Sequence, residues 1–473
     1  MTVKSEQILP NSSSTKVGVI DELLSSADVY KKFCQKLTKS ARFDISGISG
    51  SLTSFLIKRA FRQTGESILV AAPSLKDAEA IRDDLEILVG KDFVYLFPES
   101  GKSIGQEALT LLSFRSQALN SIQKNSPAIL VTTFNALTES VTTPSKIVQS
   151  SIEITISKVI NLNDLKTKLI DIGYEAEKMV SRPFEFSIRG GIVDIFPISY
   201  EHPVRIEFFG DEIESIREFD VNTQISRNPI NNIQILPDLR LAVFADDEAS
   251  GGIISILPEQ SLVWIELEDK IEMLNEKNSE LDVELLKKEI SRFRGVNVKS
   301  FSSKKILNFG SIPQYGYGRS VNALSADLRK WSHSNDSIIV SCENEIHKER
   351  MSNIIGDEDV IFIPVPLSGG FHLPSVNLHL LTDHQIFDRH RKRRSFLGFS
   401  SHSMPVKRVA GIKIGDYLVH IEHGIGKYRG MEKIKIQGAM RECLKIVYAG
   451  DDKIYLPVEN FHRIQKYKAA EGL

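Results

Sequence analysis

The chain has 473 residues, of which 41% are hydrophobic and 25% charged, and its formal net charge at pH 7 is -2. This composition is typical of a soluble globular protein of roughly three or four domains, and the balance of charge excludes a general electrostatic attraction to nucleic acid. No apolar segment reaches the roughly 20 residues of a transmembrane helix, and no signal peptide pattern is present. We therefore expect a cytoplasmic protein that does not contact a membrane.

The first part of the chain has the pattern of an α/β domain. Residues 1–20 are polar and rich in serine, which predicts a disordered tail. Strand-like apolar runs then alternate with segments of helical periodicity, at residues 43–47, 68–72, 93–97 and 129–133. Continuous apolar runs are typical of strands buried on both faces, so we predict a parallel, doubly wound sheet over residues 21–148.

A glycine-rich loop, GISGSLTS at residues 47–54, follows the first strand and precedes a helix. In the phosphate-binding pattern GxxxxGK[ST], Leu52 stands at the last glycine and Thr53 at the lysine. Leucine fills the space in which the backbone approaches the phosphates, and threonine lacks the charge that reaches them. Only Gly47 and Gly50 remain, so we predict a degenerate, inactive nucleotide loop and no ATP cofactor for this chain; the helix N-terminus could still hold an anion.

Residues 149–238 read as a separate α+β lobe inserted into the first domain. Alternating apolar and polar residues predict antiparallel strands with tight turns at Gly190-Gly191 and Gly210-Asp211. These strands are expected at residues 186–189, 192–196, 204–209 and 213–219.

The strand at residues 204–209 places Arg205, Glu207 and Phe209 on one face, because side chains alternate across a strand. Arginine and aromatic residues are enriched at binding hot spots, and Arg189 could share this face. One interpretation is a protein-binding surface. The alternative is that Phe209 packs under the neighbouring domain while both arginines pair with nearby acids, and the pattern alone leaves both open.

The next part of the chain returns to helices and short apolar strands. Residues 239–302 are assigned to the remainder of the first domain, and residues 303–388 to a second, smaller α/β domain. The basic run RHRKRR at residues 389–394 could contact a phosphate backbone or an acidic partner. The alternative is a solvated basic linker over residues 389–410, because serine, glycine and proline follow the run.

Residues 411–473 contain several short strands joined by tight turns, which predicts a small all-β barrel of the SH3 or Tudor type. The long strand of this module carries Lys433, Ile434, Lys435 and Ile436. An exposed edge there could pair with a strand of another protein, whereas many small barrels expose no such edge.

The residue types that commonly bind metals or act in catalysis show no pattern that predicts such a site. The cysteines, Cys34, Cys342 and Cys443, lie far apart in apolar runs, which predicts buried thiols rather than zinc ligands or disulfides. His420 and His423 lack a third ligand, so no metal site is predicted. No Ser/His/Asp or Cys/His arrangement is visible, and we predict no catalytic residue.

Two stretches resemble known families. The sequences RGGIVDIFP at residues 189–197 and EHPVRIEFFGDEIESIR at residues 201–217 resemble a signature shared by UvrB and the bacterial transcription-repair coupling factor (Mfd) family. The sequence GDYLVHIEHGIGKY at residues 415–428 resembles the polymerase-interacting, CarD-like module of the coupling factor family, which UvrB lacks. The combination therefore points to the coupling factor family.

The resemblance implies a UvrB-like lobe that recruits UvrA through Arg189, Arg205 and Phe209. In the family a C-terminal domain masks this face, so a chain without that domain is expected to expose it.

The resemblance also implies that the C-terminal barrel docks on the RNA polymerase β subunit by strand pairing, with Ile434 at the centre and Lys433, Lys435 and Ile436 beside it. The family's translocase motor, with its ATP site and most of its DNA contact, is expected to be absent from this chain.

We therefore expect a non-catalytic adaptor for transcription-coupled excision repair. One alternative is a UvrB-type nucleotide-dependent helicase; the absence of a β-hairpin insert after Thr64-Gly65-Glu66 and the presence of Thr53 argue against it. The other alternative is a structural DNA-binding protein that uses residues 389–394.

Overall fold

The computed structural model describes most of the chain between residues 14 and 466. The described ranges are 14–100, 106–124, 126–221, 223–241, 251–268, 283–318, 320–356, 359–389, 414–420, 424–436, 439–448, 452–457 and 464–466. The chain forms two compact units: the first comprises Met1–Ile152 and Ile235–Arg394, and the second comprises Glu153–Gln234 and Ser395–Leu473. The finer division made from the sequence stays a prediction.

The helices are α1 (Ser14–Ser26), α2 (Asp28–Lys39), α3 (Leu52–Thr64), α4 (Leu75–Leu88), α5 (Gln106–Ile122), α6 (Pro144–Ser150), α7 (Leu162–Asp171), α8 (Val283–Ser291), α9 (Val321–His333), α10 (Glu345–Ile355) and α11 (Asp383–Ile386). The strands are β1 (Arg42–Ser46), β2 (Ile68–Ala72), β3 (Val94–Phe97), β4 (Ile129–Thr133), β5 (Ile152–Thr155), β6 (Glu175–Ala176), β7 (Glu185–Arg189), β8 (Ile192–Ile195), β9 (Val204–Phe209), β10 (Glu212–Phe219), β11 (Ser226–Pro229), β12 (Asn232–Ile235), β13 (Leu262–Ile265), β14 (Arg294–Lys299), β15 (Leu307–Asn308), β16 (Ile312–Pro313), β17 (Ser337–Ser341), β18 (Val360–Ile363), β19 (Phe371–Leu373), β20 (Leu378–Thr382), β21 (Tyr417–His420), β22 (Gly424–Ile436), β23 (Ala439–Val447), β24 (Lys453–Pro457) and β25 (Ile464–Lys466).

The main sheet of the first unit has the strand order β15-β1-β14-β13-β2-β4-β3, and its strand pairs are parallel. Every residue of β2 and β4 is buried, as expected of continuous apolar runs at interior positions of a parallel sheet. Strands β13, β14 and β15 follow the inserted lobe in sequence, so the sheet is completed from both sides of that insertion. The predicted parallel α/β architecture is confirmed.

A second sheet of the first unit has the order β16-β19-β20-β17-β18. Its strands β20, β17 and β18 are parallel, whereas β16 and β19 are antiparallel additions. The three parallel strands match the predicted small α/β domain. Strands β16 and β19 were not predicted, since two or three residues are too short to show a period. Cys342 is buried in this core, and burial raises the pKa of its thiol to about 12.

The inserted lobe of the second unit contains a six-stranded sheet in the order β11-β10-β9-β8-β7-β6. Its pairs are antiparallel except for β6 with β7. The predicted hairpins are present. Alternate residues of β9 are buried, whereas Val193, Asp194 and Ile195 of β8 are all buried. Helix α7 begins at Asn161, whose side chain accepts a hydrogen bond from the amide of Asn163 at 3.0 Å.

The C-terminal module of the second unit is an antiparallel sheet in the order β24-β23-β22-β21-β25. Its core consists of Leu418, Tyr428, Leu444, Ile446 and Leu456. Among the residues that the structure describes, no pairing joins the edge strands β24 and β25, so closure into an SH3- or Tudor-like barrel stays a prediction.

Two general properties follow for the described ranges listed above. No helix within them is long and apolar enough to cross a membrane. No group of three His, Cys, Asp or Glu residues within them is placed to hold a metal ion.

Candidate protein-interaction sites

The solvent-facing side of the six-stranded sheet carries Arg189, Asp194, Arg205, Glu207 and Phe209, and we call it the arginine face. Strand β9 alternates between buried residues and residues that face outward, as the sequence pattern predicted. Cross-strand pairing places Asp194 of β8 opposite Arg205 of β9. Arg189 at the end of β7 pairs with Ile192, which itself pairs with Glu207. The structure therefore brings the predicted UvrA-binding residues onto one surface.

Asp194 holds both arginines. Its carboxylate is 1% exposed, and it accepts hydrogen bonds from Nε and Nη2 of Arg205 at 2.7 and 3.0 Å. Arg189 donates to the same carboxylate through Nη2. The two guanidinium groups are thus fixed by one buried anion, whose charge they compensate.

The two arginines differ in what they offer a partner. The side chain of Arg205 is 17% exposed, lies over the ring of Phe219 at 4.6 Å, and is largely engaged by Asp194. Its hydrogen bond to Asp194 raises the pKa of the guanidinium above the ordinary value. The side chain of Arg189 is 46% exposed. Arg189 can therefore contact a partner directly, whereas Arg205 presents only part of its guanidinium.

Phe209 is the most exposed part of the arginine face, with 79% of its surface accessible. The alternative interpretation was that Phe209 packs under the neighbouring domain while both arginines pair with nearby acids. The structure shows the arginine pairs, both with Asp194, but it leaves Phe209 exposed. Phe209 closes the hairpin between β9 and β10, where it pairs with Glu212. An aromatic ring held on a rigid hairpin loses little conformational entropy on binding, which is why such residues serve as anchors.

The turn between β7 and β8 requires its glycines. Gly190 has φ of +61°, a conformation that side chains rarely adopt, and a Cβ on Gly191 would lie 2.9 Å from the carbonyl oxygen of Phe208. The amide of Phe208 donates to the carbonyl of Gly191 at 2.8 Å. The close approach of this turn to β9 therefore sets the position of Arg189 relative to Phe209.

Sequence analysis missed Asp194. An aspartate between Val193 and Ile195 on a buried strand requires partners for its charge, and this was the available signal. A further pair on the same face, Arg217 with Glu207 at 2.7 Å, is more exposed and more weakly restrained.

The glycine-rich loop at the start of α3 contacts another segment of the first unit. The amide of Ser51 donates to the carbonyl of Gly369 at 2.8 Å, and the amide of Gly369 donates to Oγ of Ser51 at 3.1 Å. A Cβ on Gly50 would lie 2.5 Å from the carbonyl oxygen of Gly370. In a working phosphate-binding loop, the backbone amide at this position faces a phosphate. Here the amide of Ser51 donates to Gly369 of the same chain instead.

Asp84 of α4 secures the same contact. Its buried carboxylate accepts hydrogen bonds from the amide and hydroxyl of Ser368 at 2.7 and 2.6 Å. The hydroxyl of Ser54 in α3 donates to the same carboxylate at 3.4 Å, so Asp84 links α3 to the segment before Gly369.

Leu52 and Thr53 occupy the first turn of α3 and are buried. The side chain of Glu266 accepts a hydrogen bond from Nε1 of Trp264 at 2.7 Å, and it lines the same cavity as Thr53. Burial raises the pKa of Glu266 to about 7. This cavity of about 640 Å³ adjoins these residues and is lined by Thr53, at the position of the loop lysine, and by Glu266; Lys299 also lines it and is paired with Glu268.

Strand β22 carries the residues predicted to bind polymerase. It pairs with β23 from Lys427 to Ile436, but with β21 only between Gly424 and Lys427. The amide and carbonyl of Tyr428 are bonded to Asp416 and Gly415, and beyond Tyr428, within the described part of the module, this edge of β22 has no strand partner. Ile434 is half-buried there and pairs with Arg441. An unpaired edge can accept a strand from another protein.

Lys433, Lys435 and Ile436 are placed by their backbone on the same stretch of β22. A register shift between Tyr428 and Met431 separates this stretch from the core of the module. Most of the basic run, residues 390–394, lies outside the described residues. Its first member, Arg389, lies over the ring of Phe387 at 4.8 Å.

Comparisons with known proteins identify two classes of domain at these sites. Residues 152–240 match the UvrB interaction domain, and residues 412–468 match the CarD-like/TRCF RID domain. The arginine face lies in the first match and β22 in the second. The chain is therefore similar, in these two segments, to proteins that carry a UvrB interaction domain and a CarD-like/TRCF RID domain.

The particular relatives are transcription-repair-coupling factors. The chain is 24% identical to that of Bacillus subtilis (strain 168) over 96% of this chain and 47% of the relative. It is 23% identical to that of Staphylococcus aureus (strain bovine RF122 / ET3-1), over 90% of this chain and 45% of the relative. The chain spans about half the length of the curated relatives that it matches. These matches confirm the resemblance to the N-terminal region of the coupling factor family.

Proposed function

We propose that this chain is a non-catalytic adaptor region of a transcription-repair coupling factor. It binds UvrA through the arginine face and the β subunit of RNA polymerase through the free edge of β22. Its effect is to direct excision-repair proteins to a stalled polymerase.

The observation that carries the UvrA assignment is the exposure of Phe209, at 79%, on a surface matched by the UvrB interaction domain. The exposed guanidinium of Arg189 lies on the same face and suits a carboxylate of the partner. A binding anchor beside a charged group is the arrangement expected of a hot spot.

The unpaired edge of β22 supports the polymerase assignment. Main-chain hydrogen bonds from this edge would supply affinity, and Ile434 would fill an apolar contact. The SH3- or Tudor-like closure of the module is part of this proposal. The name of the matching domain, CarD-like/TRCF RID, supports the same partner class.

The glycine-rich loop supports the non-catalytic assignment. Thr53 stands at the position of the loop lysine, Lys299 in the same cavity is paired with Glu268, and the carbonyl of Gly369 accepts the hydrogen bond from the amide of Ser51. We therefore propose that the chain has no ATP cofactor of its own, and that ATP use and most DNA contact reside in other parts of coupling factors.

The proposal is tested by measuring binding of the full chain and two variants to purified UvrA and to the polymerase β subunit. Phe209→Ala should weaken UvrA binding by about 2 kcal/mol or more, because it removes the exposed anchor. Ile434→Arg should weaken β-subunit binding by several kcal/mol, on the order of the cost of burying an unpaired charge.

Each variant is the control for the other partner. Phe209→Ala should bind the β subunit normally, and Ile434→Arg should bind UvrA normally. Unchanged UvrA binding by Phe209→Ala would remove the arginine-face assignment, and unchanged β-subunit binding by a folded Ile434→Arg would remove the β22 assignment.

A further inference from the structure

A second hydrophobic side chain stands beside Phe209 on the same surface. Among the described residues of Glu153–Gln234, Val159 and Phe209 are the large hydrophobic residues with the greatest exposure, 71% and 79%. Single exposed hydrophobic residues are common and need no explanation. Two that occupy one cross-strand row of a sheet face the same side and can contact one partner together.

The row is defined by main-chain pairing. Phe209 pairs with Glu212 across the β9–β10 hairpin, and Glu212 forms a bridge with Val159 on its other side. Paired residues of neighbouring strands point to the same face. The backbones of Phe209 and Val159 are therefore about 10 Å apart, two strand spacings, with Glu212 between them.

The segment that carries Val159 is held rigidly against the hairpin. The amide of Ser157 donates to the carbonyl of Ile213 at 2.9 Å, and the amide of Ile160 donates to the carbonyl of Asp211 at 2.8 Å. In the opposite direction, the amide of Ile213 donates to the carbonyl of Lys158 at 3.0 Å. Val159 is thus presented on a fixed backbone, which lowers the entropy lost when a partner binds.

The charges around the row specify how a partner must lie. Arg189 carries a positive charge on the β7 side of Phe209, and Glu212 carries a negative charge between Phe209 and Val159. An open groove of about 1130 Å³ adjoins this end of the sheet and is lined by residues that include Arg189, Asp211 and Asn161. The surface that a partner can contact therefore extends beyond Phe209 into this groove.

We infer that Val159 is part of the UvrA contact and extends the apolar contact of Phe209 across Glu212. This inference rests on the proposed function. It requires an apolar patch on UvrA about 10 Å wide, the separation of the two backbones, with an acidic group facing Arg189 and a basic or hydrogen-bond-donating group facing Glu212.

The test measures UvrA binding by the full chain carrying Val159→Glu, with Ile225→Glu as the matched control. Ile225 is 66% exposed in the same lobe, but it follows β10 and lies at the opposite end of that strand from Glu212. Val159→Glu should weaken UvrA binding at least about tenfold, as loss of a contact residue at a hot spot does. Ile225→Glu should change it less than about twofold, as expected of surface positions outside an interface.

A second, milder substitution at Val159 distinguishes loss of the contact from loss of the folded structure. Val159→Thr keeps the β-branched shape and should weaken binding about threefold through the loss of apolar contact. Phe209→Ala is measured in parallel. If Phe209→Ala loses UvrA and Val159→Glu and Val159→Thr bind like the original chain, the inference is wrong and the proposed function stands. If Phe209→Ala also binds normally, both are wrong.

Discussion

At the scale of single residues, Asp194 determines which guanidinium groups of the arginine face are available to a partner. Two guanidinium groups converge on one buried carboxylate, which is 1% exposed. Arg205 bonds Asp194 through two of its three guanidinium nitrogens and also contacts Gln224, whereas Arg189 bonds Asp194 through one nitrogen and keeps much of its surface exposed to solvent. The family-derived role of Arg205 in UvrA binding remains a prediction, and its geometry suits support of Arg189 as well as direct contact.

Asp194→Asn tests this arrangement by removing the charge at nearly constant shape. Loss of one partner from a buried ion pair costs about 3–5 kcal/mol, and the partial exposure of both arginines should reduce this to about 2–3 kcal/mol. The measurement is amide hydrogen exchange in β8 and β9, which reports the free energy of local opening.

Glu207→Gln is the matched control, because Glu207 pairs with Arg217 on the same face but is 31% exposed. Its loss should cost no more than about 1 kcal/mol. Equal protection of β8 and β9 in both variants would show that Asp194 does not organise the face.

At the scale of elements, hydrogen bonds at the start of α3 connect two sheets of the first unit. The loop before α3 follows β1, and the segment that it contacts, residues 368–370, precedes β19. The hydrogen bond between Ser51 and Gly369 links positions 318 residues apart in sequence. A sequence pattern typical of phosphate binding therefore connects two sheets of the first unit here.

Gly50→Ala should weaken the contact between the start of α3 and residues 369–370. Alanine at φ +55° costs about 1 kcal/mol, and its Cβ would lie 2.5 and 2.6 Å from two backbone oxygens, so we expect a total loss of about 2–4 kcal/mol. Urea unfolding can be followed by the fluorescence of Trp264 and Trp331, the 2 tryptophans of the chain, both of which lie in the first unit.

Gly65→Ala provides the comparison. Gly65 has a similar φ of +67° but no heavy atom near the added Cβ, so its substitution should cost only about 1 kcal/mol. If the two variants lose the same stability, the close approach of residues 369–370 has no energetic importance.

Sequence reasoning succeeded where the signal is local. The buried runs of β2 and β4 and the alternation along β9 predicted those strands and the faces of their side chains. It failed for contacts between distant segments: nothing in the pattern shows that Gly369 reaches Ser51. Val159 was also not predicted as a contact residue. A single bridge to Glu212 places it on this face, and it belongs to no strand whose periodic pattern would show its orientation.

At the scale of the whole molecule, the two proposed sites are separated in sequence by residues 235–394, which complete the first unit. The arginine face and β22 belong to different sheets, and their strand ladders share no residue. Since coupling between sites requires a common element with two states, we expect the sites to bind their partners independently.

A titration of UvrA against the chain, with and without saturating β subunit, measures this coupling. The two UvrA affinities should agree within about twofold, and the three proteins should co-elute only when the chain is present. A change of about tenfold or more in either direction would show that the sites bias a shared conformational equilibrium.

The free edge of β22 also bears on how the chain behaves in concentrated solution. A row of unpaired amides and carbonyls is a template for any extended strand, including the same strand of a second copy, and such edges promote aggregation. Two such edges would bring Lys433 and Lys435 of one copy close to those of the other, and like charges repel. The lysines thus discourage self-association while leaving the edge open to a strand that carries acidic residues.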